Sequence, residues 1–293
     1  MTARDDARAR VDLYAALGQP GSGRVRYAAA MYFNCKGLLS SEALEVYRIC
    51  SARDGDDPAA LMATRGLAPN LPPPPDLNRE QALRLLLDEV DRYLATLPGA
   101  GIAESRAGLA ALRDGPVRPE PRGPDATVRA YLPAALAALT DSHPALATAI
   151  EMAEPHLCWR VYDSYPPEQI GTAFNAGHAY TSLIGEGAIA ADDFDLGLFL
   201  IAPGLLYRDH AHPAPELYAP LTGPHGWRFA PEGPITVKPA HEPVWNEPGQ
   251  PHLTKVGPVP FLCIYCWTRD VNEPAQIIAA TDWDALERQK ISA

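Results

Sequence analysis

The stretch Tyr207-Arg208-Asp209-His210-Ala211-His212-Pro213-Ala214-Pro215-Glu216-Leu217-Tyr218 holds two of the chain's eight histidines, a glutamate four residues past the second, and a tyrosine at each end. Side chains alternate faces along a strand, so His210 and His212 point to one side. The Pro-Ala-Pro turn restarts the chain, and Glu216 and Tyr218 again share a face. Polar groups from one short segment therefore converge on a point. Imidazole nitrogens with a carboxylate oxygen suit one divalent transition metal, with Fe, Zn or Mn expected, and a set that leaves coordination positions open suits catalysis better than structure. A further histidine, His252, follows the turn Glu247-Pro248-Gly249-Gln250-Pro251, from which a returning strand can bring it across to the first set.

The pattern His-x-His-x3-Glu, then a Gly-containing turn and a late histidine, resembles the paired motif of the cupin barrels. Tyr207 five residues before His212, Tyr218 two after Glu216, and the later His252 and Trp267 narrow the resemblance to the cupin-type dimethylsulfoniopropionate (DMSP) lyases, over residues 79–270. The resemblance implies an α+β chain with a C-terminal antiparallel β-barrel and an N-terminal helical region. It also implies metal-dependent β-elimination of DMSP, or of a similar β-substituted carboxylate, to dimethyl sulfide and acrylate. In that reading His212, Glu216 and His252 hold the metal, and His210 either joins them or orients another ligand. Tyr218 is the base, and Tyr207 positions the substrate carboxylate. Trp267, with Tyr180 or Trp159 as neighbour, offers an aromatic face to the sulfonium. The same ligand set serves iron cupins that activate dioxygen, and a cupin can also be a non-enzymatic ligand sensor; the tyrosine pair favours the lyase.

Composition bounds the rest. At 293 residues, 47% hydrophobic and 21% charged, the chain has the makeup of an ordinary globular protein able to bury a sizeable core. A net charge of −11 argues against nucleic acid or an anionic membrane as partner, since both are bound through basic surface. Met1–Arg10 is polar and charged and no apolar run is long enough to span a bilayer, so a cytoplasmic location is expected. Five cysteines in a chain of this size read as thiols rather than as a disulfide framework. Cys263-Ile-Tyr-Cys266 lies in an expected strand, where residues three apart face opposite sides, and reads as core packing.

The organisation expected is a helical region over 1–153 and a cupin barrel with a short closing helix over 154–293. Prolines at 69–77 mark a linker within the first, because proline lacks the N–H that a helix needs. Ser40 ahead of Ser41-Glu42 resembles a helix start. Leu83, Leu86, Leu87, Val90 and Leu94 repeat at three and four residues as an amphipathic helix requires. The aromatics Tyr14, Tyr27, Tyr32, Phe33 and Tyr47 read as core. The helical region is expected to pack over the barrel or to extend a homodimer interface. From residue 157 onward, short aromatic and β-branched runs punctuated by Gly and Pro predict strands at 157–162, 180–184, 196–201, 216–221, 226–229, 235–238, 243–246, 252–256 and 261–268.

Overall fold

The computed structural model describes residues 3–15, 17–67, 71–73, 76–121, 126–163 and 165–292. Residues 69, 70, 74 and 75 of the expected proline linker lie outside the described residues. Helices come first: α1 (Ala3–Leu13), α2 (Ser22–Cys35), α3 (Ser41–Cys50), α4 (Pro58–Thr64), α5 (Arg79–Leu94), α6 (Ile102–Leu112), α7 (Ala126–Thr140) and α8 (Pro144–Ala153). Two short helices, α9 (Pro167–Ile170) and α10 (Thr172–Ala176), precede the strands. These are β1 (His178–Gly185), β2 (Ile189–Ala190), β3 (Asp195–Ile201), β4 (Leu206–Ala211), β5 (Glu216–Pro220), β6 (His225–Arg228), β7 (Thr236–Lys238), β8 (Val244–Asn246), β9 (His252–Lys255), β10 (Phe261–Trp267) and β11 (Gln276–Ile277). Helix α11 (Trp283–Arg288) follows the last of them.

Contacts group the chain into two compact units, Met1–Leu86 with Thr140–Met152, and Leu87–Leu139 with Ala153–Ala293. Helices α6 and α7, which the sequence places in a helical half ending at 153, group with the strands. In the first unit, Ser40 caps α3 by accepting from Ala43 N at 3.2 Å, as its sequence suggests. Phe33 and Tyr47 are buried with Leu13, Val46 and Met62, whereas Tyr14 is exposed rather than part of the core. Helix α5 starts on a reciprocal cap, with Asn78 Oδ1 accepting from Gln81 N and Gln81 Oε1 accepting from Asn78 N. Its five apolar positions are all buried, as their spacing requires. Among the described residues no helix is long and apolar enough to cross a membrane.

In the second unit the strands form two sheets, in the orders β2-β1-β3-β10-β5-β8 and β11-β4-β9-β6-β7. Eight of the nine expected strands are present. The ninth, 157–162, makes only a single bridge from Arg160 to Tyr180. The hydrogen bonding runs in these two sheets and does not itself close a barrel, and the chain passes repeatedly between them, including at 213–215 from β4 to β5 and at 247–251 from β8 to β9. A cluster including Phe174, Phe199, Tyr207, Tyr218, Trp227, Phe261 and Cys263 forms the apolar core here. Each such buried ring contributes about 1.5–3 kcal/mol. Cys263 joins this cluster and its Cα pairs with Phe199, while Cys266, three residues on, interacts with Ser105 of α6.

Candidate metal centre and its cavity

Two of the turns at which the chain changes sheet, 213–215 and 247–251, bring the polar groups together. His210 is on β4 and His252 opposite it on β9 of one sheet, while Glu216 and Tyr218 are on β5 of the other, and His212 stands at the turn between. In β4 a bulge sets Tyr207 opposite Thr254 and His210 opposite His252, so three residues on β4 match two on β9. The extra residue lets Tyr207, at odd spacing, share a face with His210: their rings stack at 3.9 Å. Asp209 turns away and pairs with the fully buried Arg228, whose Nε donates to it at 3.0 Å, which fixes the face that His210 presents.

All three imidazoles are tied by Nδ1 to backbone carbonyls: His210 to Arg208 O at 2.9 Å, His212 to Ala214 O at 2.7 Å, and His252 to Gln250 O at 2.9 Å. A neutral ring donates from Nδ1 in such a contact and leaves the Nε2 lone pair free. The ligand atoms of the three histidines lie within 4.8 Å of one another. Glu216 Oε2 is 3.2 Å from Nε2 of both His212 and His252. The second of these contacts is not aligned as a hydrogen bond, and His252 Nε2 is a buried atom with no hydrogen-bond partner. With their Nδ1 atoms turned to backbone carbonyls, the three rings direct Nε2 toward the Glu216 carboxylate, and a cation answers a cluster of such acceptors. The donor set of three imidazoles and one carboxylate fits a divalent transition metal.

Two donors hold Glu216 from the other side: Trp267 Nε1 reaches Oε1 at 2.7 Å and Asn246 Nδ2 reaches Oε2 at 3.2 Å. Burial favours the protonated form of Glu216, but the imidazoles of His212 and His252 outweigh it and hold the carboxyl well below the usual carboxylate range. Burial, reinforced by His252 and His212, pushes His210 well below the usual imidazole range, leaving it neutral and able to ligate.

A cavity of about 370 Å³ runs from Glu216, Tyr207 and Tyr218 past Trp267 and Tyr265 to Tyr180, Glu186 and Asp195. Burial, then the neighbouring Glu216 carboxylate, holds the Tyr218 hydroxyl well above the usual phenol range. Burial does the same to Tyr207, with Tyr165 and Tyr218 adding to it; its hydroxyl lies 3.2 Å from that of Tyr165. Trp267 stacks on His212 at 4.3 Å. Tyr180 lines the far end and donates to Glu186 at 2.9 Å.

Of the residues singled out by sequence, Trp159 is the one the structure leaves apart. It is buried and does not line the cavity, because the expected strand around it does not form. Sequence reading missed Tyr165, Asn246, Tyr265 and Asp195. Tyr265 and Asn246 lie in expected strands, and their cross-strand pairing with Tyr218 and Glu216 is what brings them to the site.

The family model for dimethylsulfoniopropionate lyase matches residues 105–263. Among solved structures the chain is similar to the DMSP lyase DddQ from Ruegeria pomeroyi DSS-3, with 27% identity, a TM-score of 0.50, and coverage of 67% of this chain and 95% of that one. A structure described with the DMSP lyases RdDddP and RnDddQII matches at 18% identity and a TM-score of 0.56, covering 69% of this chain and all of that one, a likeness of fold. No curated sequence matches the chain at comparable strength.

Proposed function

The chain belongs to the cupin-type DMSP lyase family, and from that premise we propose that it cleaves DMSP, or a close β-substituted carboxylate, by β-elimination. The observation that carries this reading is the convergence of three imidazole Nε2 atoms and one carboxylate, with Tyr218 two residues along the same strand. His210, His212, His252 and Glu216 would hold the metal. Bound there, a divalent ion supplies Lewis acidity, offsetting charge that builds on the substrate carboxylate and favouring phenolate at the nearby tyrosine.

Tyr218 takes the C2 proton on its phenolic oxygen. The C–H electron pair becomes the C2–C3 double bond, the C3–S bond breaks, and sulfur keeps its pair, leaving as neutral dimethyl sulfide beside acrylate. No acid is needed for that leaving group. Burial opposes the phenolate, and Glu216 opposes it further, so the base depends on positive charge at the histidine cluster. Tyr207, braced by Tyr165 and stacked between His210 and Phe174, positions the substrate carboxylate. Trp267, fixed by Glu216 and His212, and Tyr180 wall the path of the sulfonium.

The test is headspace detection of dimethyl sulfide from DMSP, with metal analysis of the same preparation. Sulfide should form in proportion to metal content, with no oxygen consumed; oxygen uptake without sulfide would overturn the reading.

A further inference from the structure

At the opposite end of the cavity from the histidines stands a carboxylate that the proposed chemistry does not use. Cα pairing sets Asp195 on β3 opposite Trp267 on β10, and Trp267 opposite Glu216 on β5. In-register residues share a face, so both carboxylates look into the cavity with one tryptophan between them, about 10 Å apart at two strand spacings. Asp195 receives two hydroxyl donors, Ser182 Oγ at 2.6 Å and Tyr265 at 3.2 Å, and among the described residues no basic side chain pairs with it. Glu186, the other acid at this end, is already matched by Arg160 at 2.8 Å.

Two glycines make the room. A Cβ on Gly185, whose φ is +136°, would come within 2.5 Å of Asp195 Oδ1. One on Gly197 would strike the Tyr265 ring that reaches across to Asp195, at 2.8 Å, and the Thr181 carbonyl. Burial pushes the carboxyl up to about 7, against the pull of its Ser182 bond. The fold thus sets a carboxyl held by two hydroxyls, with no ion-pair partner among the described residues, in an aromatic wall, where an arriving cation would favour its ionised form.

We propose that Asp195 is the specificity-determining residue for the positive end of the substrate, facing the onium group while the carboxylate end lies at the histidine cluster. This rests on the reading of the cavity as the site of a zwitterionic acid. Trp267 and Tyr265 flank the same position, so the onium meets ring faces on its sides and the carboxylate ahead. The arrangement has a kinetic signature. As the C3–S bond breaks, sulfur's positive charge disappears, so Asp195 stabilises bound substrate more than the transition state. Losing its charge should raise KM without lowering kcat.

The decisive experiment uses two unreactive acids of one shape, 3-(trimethylammonio)propionate, with a cationic tail, and 4,4-dimethylpentanoate, with a neutral tail (the cationic and the neutral acid below), titrated calorimetrically into the metal-loaded protein at pH 8. The parent should bind the cationic acid on the order of tenfold more tightly or better. Asp195→Asn should abolish that preference while still binding the neutral acid, which shows the variant to be folded, and Glu186→Gln should keep it. Asp195→Ser serves the same comparison if the amide is not tolerated. A parent without charge preference, or an Asp195→Asn protein that keeps it, overturns the proposal. Dimethyl sulfide formation is scored separately: charge preference that depends on Asp195 in a chain that releases no sulfide would sink the lyase reading and leave this one standing.

Discussion

Glu216 and Asp195 stand on one row of one sheet, both facing the same cavity, with Trp267 between them. Around Glu216 are two imidazoles, an indole N–H and an amide, and the imidazoles hold its carboxyl well below the usual range. Around Asp195 are two hydroxyls and the negative charge of Glu186, and burial prevails, pushing it up to about 7. The residue type is nearly the same and the neighbours set opposite tendencies. One end of the cavity is thereby built to complete a cation's coordination, the other to receive a cation carried in by substrate.

The largest effect should come from dismantling the first end. A Glu216→Ala, His252→Ala double variant removes two of four candidate ligands, so metal content and dimethyl sulfide formation should fall together. The loss should exceed the ~100-fold typical of disturbing a ligand's outer partners, while the carboxyl chemistry at Asp195 is untouched. Full metal content in that protein would break the contrast between the two ends. Next is Tyr218→Phe, which removes one oxygen and keeps the ring. Turnover should fall by ~10²-fold or more with metal retained and substrate affinity little changed, the mark of a base acting in the transition state. Parent turnover in this variant would remove Tyr218 from the mechanism. Smaller again is Asp195→Asn in steady state, where KM for DMSP should rise about tenfold and kcat should hold or increase. A fall in kcat with unchanged KM would put Asp195 in the chemical step instead.

The two ends also differ in how far sequence discloses them. His210, His212, Glu216 and Tyr218 lie within nine residues, and the alternation of strands is enough to place most of them together. His252 needs only a turn and a return. Asp195 sits in the run Asp192-Asp193-Phe194-Asp195, which reads as a charged loop, and its significance comes from pairing with Trp267, 72 positions away. Tyr207 shows the limit of alternation itself, because strict period two would turn it away from His210, and only the bulge in β4 brings them to one face. How the strands close around one another is hidden from sequence for a related reason. Strand positions follow from local composition, whereas which strands hydrogen-bond around the edges depends on where the sheet-changing connections carry the chain. Trp159 lies apart from the cavity because its aromatic run, which makes a single bridge, reads locally like any strand.

The smallest effect is a change in how stability depends on pH, and it isolates Asp195 from every other group. An acid whose folded pKa is raised binds its proton more tightly in the native state. Stability from this group is therefore fully present below the unfolded value near 3.8 and declines as pH rises through about 7. His225, whose ring burial pushes down to about 4, acts in the other direction. Its unfolded form takes up a proton first, so stability falls as pH drops from about 6.5 toward 4. Arg160, Glu186, Glu273, Tyr180 and Tyr265 also sit around this end of the cavity or pair with residues there, so the parent curve alone mixes several contributions. The difference between parent and Asp195→Asn removes what they share. Because Asp195 borders a cavity rather than a sealed core, solvent screening should limit the difference to about 1 kcal/mol. Urea midpoints taken from pH 4 to 8 should show the parent losing ground relative to the variant across that interval. Parallel curves would mean that the Asp195 carboxyl titrates as an ordinary acid, and the two ends of the cavity would then not be opposites.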